Sequence, residues 1–137
     1  MAQTTPPKPD AVRRNARVGP LVLPAGGRKG TPPAWPLSAQ TAAERDAWKQ
    51  LWATPHAVAW ERLEWIRTVA RYCRVMVAAE TRGASASLLA QTAVLEDRLG
   101  LTPKAMRMLL WEIAADEVAQ KREAGPASAR SRVKAVG

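Results

Sequence analysis

Phenylalanine is absent from this chain, and tyrosine, histidine and cysteine occur once each. No apolar run approaches the roughly 18 residues needed to cross a bilayer. Each scarcity excludes something. A single cysteine, Cys73, cannot form an internal disulfide and suits a reducing compartment. A zinc site needs about four Cys or His ligands, or about three plus water, and one histidine with one cysteine cannot supply them without an unusual carboxylate set. Nucleophilic catalysis needs a base, and His56 is the one ordinary candidate. It sits where a helix begins, a place where a solvated or neutral histidine is common. Glu61, Glu64, Glu112, Asp116 and Glu117 read as solvated helix surface. The Leu21-Val22-Leu23 run is too short for a signal-peptide core and stops at Pro24. The expectation is a soluble, intracellular, non-enzymatic protein with no catalytic residue, no metal and no cofactor.

What is abundant is proline and positive charge, both unevenly placed. Of 11 prolines in 137 residues, eight precede residue 37. The formal net charge is +9. Residues 1–33 carry six basic side chains against one acidic, and residues 121–137 five against one. The stretch between, 34–120, is balanced at ten of each. Basic Pro/Gly/Ala-rich ends around a neutral centre have the pattern of polyanion-binding tails, with nucleic acid the expected partner.

Residues 1–36 therefore read as a disordered, Pro/Gly-rich basic arm, residues 37–124 as a helical core, and residues 125–137 as a basic tail. Thr41 and Glu44 form a capping-box pattern ahead of Trp48, Leu51 and Trp52. Thr54-Pro55 restarts the chain, and Val58, Trp65, Ile66, Val69, Cys73, Met76 and Val77 predict one long helix over 55–82, ended by Gly83. Leu88, Thr92, Leu95 and Leu99 share a face of a third helix that stops at Gly100. Thr102-Pro103 opens a fourth, with Met106, Leu109, Leu110 and Ile113 as its apolar residues, continuing to about Ala124. No alternating apolar pattern marks a strand. The predicted class is all-α, a bundle of about four helices.

Within that bundle, residues 87–113 have the layout of a helix-turn-helix, two helices joined by a short glycine-containing turn. Lys104, Arg107 and Met108 avoid the apolar stripe and could reach a groove of DNA. An ordinary helical hairpin has the same pattern, and Glu96 occupies a position where such motifs favour a small residue. Arg67, Arg71 and Arg74 line one helix face, as a partner-facing stripe or as a solvated face paired with Glu61 and Glu64. Gly26-Gly27-Arg28-Lys29-Gly30-Thr31 fails the phosphate-loop pattern, leaving a flexible basic segment or a plain linker. Arg13, Arg14, Arg17, Arg28 and Lys29 are the candidate phosphate contacts outside the bundle. Six tryptophans are many for this length. Trp48, Trp52, Trp60 and Trp65 exceed what four short helices can enclose, and are expected at an oligomer interface.

Pro33-Ala34-Trp35-Pro36-Leu37, Gln40-Thr41, Glu44, Trp48, Leu51-Trp52, Pro55, Ala57-Val58 and Trp60-Glu61 resemble the small terminase subunits of actinobacterial tailed phages and prophages. The likeness continues through Val69-Ala70, Tyr72, Arg74, Leu99-Gly100-Leu101-Thr102, Met106 and Trp111, covering roughly residues 30–113. The resemblance implies an oligomeric ring in the cytoplasm of the bacterial host. Such a ring binds double-stranded viral DNA at its packaging site and recruits the large terminase subunit, which carries the ATPase and nuclease. Two other functions fit the residues: a dimeric helix-turn-helix regulator or nucleoid-type DNA binder, and a head-assembly adaptor that binds no DNA.

Overall fold

The computed structural model describes residues 19–115. Within them the order is β1 (Leu21–Leu23), α1 (Ala42–Leu51), α2 (His56–Arg62), α3 (Ile66–Ala79), α4 (Ala86–Arg98), α5 (Pro103–Leu109) and β2 (Trp111–Ile113). None of these helices is long and apolar enough to cross a membrane. The domain is mostly helical, as the periodicity predicts, but two short strands correct the all-α expectation. β1 and β2 pair in parallel with Leu21 opposite Trp111 and Leu23 opposite Ile113. Three residues are too few to display an alternating pattern, so these strands exist through tertiary pairing. Leu21 N–H donates to the Leu110 carbonyl at 2.7 Å, and Ala114 N–H to the Leu23 carbonyl at 2.8 Å.

Order therefore begins well before residue 37. Leu23 is fully buried among the core residues, and the glycine-rich turn after it is docked. Gly27 has φ +81°, and an added Cβ there would collide with the Ala53 carbonyl oxygen. The next residue is held too, Arg28 N–H donating to the Thr54 carbonyl at 3.2 Å. Composition marks this stretch as a loose arm. Its backbone is instead fitted against the turn after α1.

The single helix expected over 55–82 is two. Leu63 caps α2 and Glu64 adopts the left-handed region at φ +57°. Trp65 N–H then donates back to the Trp60 carbonyl at 2.9 Å, and Glu64 N–H to the Glu61 carbonyl at 3.2 Å, the two bonds of a Schellman ending. A non-glycine residue in this conformation gives no compositional warning. The same ending closes α4 with glycine in place: Gly100 has φ +75°, and Leu101 N–H donates to the Glu96 carbonyl at 2.9 Å.

The last predicted helix also stops early. Leu110 turns left-handed at φ 58° after only seven residues, and the chain swings Trp111 inward to start β2. Leu110 and Ile113 are consequently exposed, not core. The part of the expected helix beyond residue 115, and the tail at 125–137, lie outside the described residues.

All six tryptophans serve one chain of aromatic contacts inside the protomer. Trp35 meets Trp48 edge-on at 5.1 Å between centroids, Trp48 meets Trp52 at 5.4 Å, and Trp52 meets Trp60 at 5.9 Å. His56 lies against both Trp60 and Trp111, and Trp65 lies 6.0 Å from Trp111. Trp48, Trp52 and Trp60 are buried, and Trp65 is half-buried against the same core. This corrects the expectation of an oligomer interface for Trp48, Trp52 and Trp60, which offer almost no surface, while Trp65 keeps part of its own exposed. Trp60 is further fixed by an indole N–H bond to the Leu99 carbonyl at 2.9 Å, tying α2 to the end of α4.

The capping box at α1 is present in altered form. Thr41 Oγ1 accepts from Glu44 N–H at 3.1 Å, but the buried Glu44 carboxylate serves α3, accepting from Arg74 Nε at 3.0 Å. Arg74 Nη2 also donates to the carbonyls of Ser38 and Ala39, and the guanidinium lies 5.4 Å from the Trp35 ring centre. Arg74 is thus a clamp between α3 and the segment leading into α1.

Candidate nucleic-acid interface

The α4–α5 hairpin is built from local signals that each have a partner. Ser85 Oγ accepts from Leu88 N–H at 3.1 Å and starts α4. Gly100 lies so close to the Trp111 ring that a Cβ would overlap it, so the turn requires glycine for space as well as for φ. Thr102 Oγ1 accepts from Ala105 N–H at 3.1 Å and donates to Asp97 Oδ1 at 2.8 Å, which fixes the turn from both sides. Pro103 occupies the first turn of α5, where its missing N–H costs nothing. Glu96, at the position where a helix-turn-helix favours a small residue, accepts from the Tyr72 hydroxyl at 3.2 Å and joins α4 to α3.

α5 presents Lys104, Arg107 and Met108 to solvent while Ala105 and Met106 face inward. Among the described residues the ion pairs are Arg28–Glu61 and Arg74–Glu44, so Lys104 and Arg107 have no carboxylate partner there. Two unpaired cations one helical turn apart on an exposed helix suit phosphate or base-edge contact.

Other expected contacts are placed differently. All three nitrogens of the Arg28 guanidinium are engaged, two with Glu61 and Nη1 with the Thr31 carbonyl at 3.1 Å, and the group lies 5.6 Å from the Trp52 ring centre. Arg28 is therefore a packing residue, which corrects its assignment as a phosphate contact. Lys29 is exposed, its ammonium donating to the Gly26 carbonyl at 3.0 Å. Arg13, Arg14 and Arg17 lie outside the described residues. Of the arginine stripe, Arg67 and Arg71 are exposed, whereas Arg74 is committed to Glu44. The alternative pairing of that stripe with Glu61 is not formed, because Glu61 is held by Arg28.

His56 is half-buried between Trp60 and Trp111, and burial lowers its pKa against an opposing hydrogen bond with the Gly100 backbone. Among the described residues no three His, Cys, Asp or Glu side chains gather as a metal site. Comparison with protein-family models, curated proteins and solved structures finds no match to this chain.

Proposed function

We propose that this chain is a non-catalytic DNA-packaging subunit of the small-terminase type. In this role it assembles as a homo-oligomeric ring in the bacterial cytoplasm, binds double-stranded viral DNA and recruits the large terminase subunit. The observation that supports the DNA-binding part is the pair Lys104 and Arg107, exposed on α5 and without carboxylate partners among the described residues. The net-positive stretches 1–33 and 121–137 supply affinity without sequence information, and α5 supplies the place for specificity. The motif resemblance over residues 30–113 turns a general DNA binder into a packaging subunit.

The test is binding of a cognate genome fragment across a salt series. Affinity should fall steeply with salt, and Lys104→Ala and Arg107→Ala should each reduce the slope of log K against log salt by about 1. Binding that ignores salt, or no binding, sinks the reading and leaves the head-assembly adaptor. A fixed dimer with DNA affinity supports the regulator instead, because the same hairpin serves that class.

A further inference from the structure

Met108 is the most exposed large apolar side chain among the described residues, at 76%. An isolated apolar residue on a surface is ordinary and by itself means nothing. The setting of this one is not ordinary. Arg107 and Met108 lie three and four residues beyond Lys104, which puts all three side chains on one face of α5. The opposite face anchors the helix, with Ala105 buried and Met106 packed against the core. Both cations are exposed, and neither has a carboxylate partner among the described residues.

The other flank of Met108 borders a hollow of about 210 Å³, whose apolar walls are Ala105, Leu109 and Met108 itself. Asp97 and Arg98 also line it, with opposite charges. The Asp97 carboxylate, which accepts from the Thr102 hydroxyl, repels phosphate from that side. Glu96 is held toward α3 by the Tyr72 hydroxyl, and Glu112 stands in β2 beyond the left-handed turn at Leu110. A polyanion on α5 therefore sets its phosphates toward Lys104 and Arg107, and crosses Met108 with a part that is uncharged.

A protein partner covering Met108 would have to bury the two cations with it, at a high cost unless each met an acid. The major groove of DNA fits the mixture without that cost. Phosphates and guanine edges accept from lysine and arginine, and the one apolar group on the base edges is the 5-methyl of thymine. A flexible thioether side chain adapts well to such a small apolar target. We infer that Met108 reads thymine by packing against its 5-methyl group, while Lys104 and Arg107 bind neighbouring phosphates or guanine edges. The inference rests on the DNA-binding part of the function proposed above and names the base feature that α5 selects.

The experiment compares a cognate genome fragment with the same fragment made with deoxyuridine in place of thymidine, so that the two differ only in the 5-methyl groups. Fluorescence anisotropy gives the affinity of the full chain for each. Burying one methyl changes a binding constant about fourfold, so wild type should prefer the thymidine fragment by about fourfold or more. Met108→Ala should bind the two fragments equally. Because no charge is lost, this variant should also keep the wild-type slope of log K against log salt, unlike Lys104→Ala and Arg107→Ala. An unchanged urea midpoint certifies the fold of each variant. If wild type binds both fragments equally while its affinity still falls with salt, the thymine reading is wrong and DNA binding stands. A thymidine preference that survives Met108→Ala assigns the methyl to another residue or to DNA shape, and overturns the inference. Absence of binding to either fragment overturns the inference and the DNA-binding reading together.

Discussion

The guanidinium of Arg28 and the carboxylate of Glu61 meet through two hydrogen bonds, of 2.9 and 3.0 Å, from opposite ends of the α1–α2 region. The pair holds both partners charged. Hydrogen bonding to Glu61 raises the Arg28 pKa, and the reciprocal bond lowers that of Glu61. Because the carboxylate faces solvent, screening keeps the energetic return small. Arg28→Ala should cost about 1 kcal/mol of stability, much of it from lost contact with Trp52. The same variant should leave the salt slope of DNA binding unchanged, since its charge is already spent inside the protein. A drop in that slope equal to the one expected for Arg107→Ala would return Arg28 to the DNA surface.

Two glycines in one turn should behave differently. Gly27→Ala would drive a methyl into the Ala53 carbonyl at positive φ, and should cost about 2–4 kcal/mol, read as a lower urea midpoint with unchanged m. Gly30 has φ +101° but open space around it, so Gly30→Ala should cost only about 1 kcal/mol. Equal losses at the two positions would mean that the turn is not seated on Ala53.

Stability should decline on mild acidification because of His56. Burial favours its neutral form, so the folded pKa lies below the unfolded value of about 6.5. Between those two values the unfolded chain binds more protons. The stability is complete above about pH 6.5 and is lost as pH falls through the folded value. His56→Leu should flatten this limb of a urea-midpoint profile taken from about pH 8 to 5. A profile with the same slope in both proteins would show that carboxylates, not His56, control it.

Cys73 should be silent to thiol reagents in the native protein. Its thiol is fully buried and donates to the Glu44 carbonyl at 3.4 Å. Burial, reinforced by the Glu44 charge and opposed by Arg74, pushes it up to about 11. Only the thiolate attacks, so labelling with an aromatic disulfide at about pH 8 should proceed no faster than unfolding and go to completion in denaturant. Rapid labelling without denaturant would show that the α1–α3 contact opens readily.

Much of the helical plan is legible because its punctuation is chemical. Thr41, Thr102-Pro103 and Gly100 each do locally what their residue types allow, and the structure uses every one. The break at Glu64 and the stop at Leu110 are not legible, since each is a non-glycine residue held in the left-handed region by the packing of its C-terminal neighbour. In both cases that neighbour is a tryptophan, Trp65 or Trp111, turned toward the aromatic core. β1 is hidden for a related reason: Leu21-Val22-Leu23 gains its conformation from a strand far along the chain. For the candidate site, Lys104 and Arg107 are readable from helical offset alone. The engagement of Arg28 depends on a partner that no local pattern reveals.

The parallel pairing of β1 with β2 also bears on the order in which the domain forms. Joining Leu21 to Trp111 closes a loop of roughly 90 residues, whose entropy must be offset before the strands gain anything from meeting. Hairpins of adjacent helices close far shorter loops and can form first. By that argument the sheet should form last, after the helices have met. Cutting the chain anywhere between Trp111 and Ile113 should release the Leu21–Leu23 end as well, although the two are at opposite ends of the described sequence.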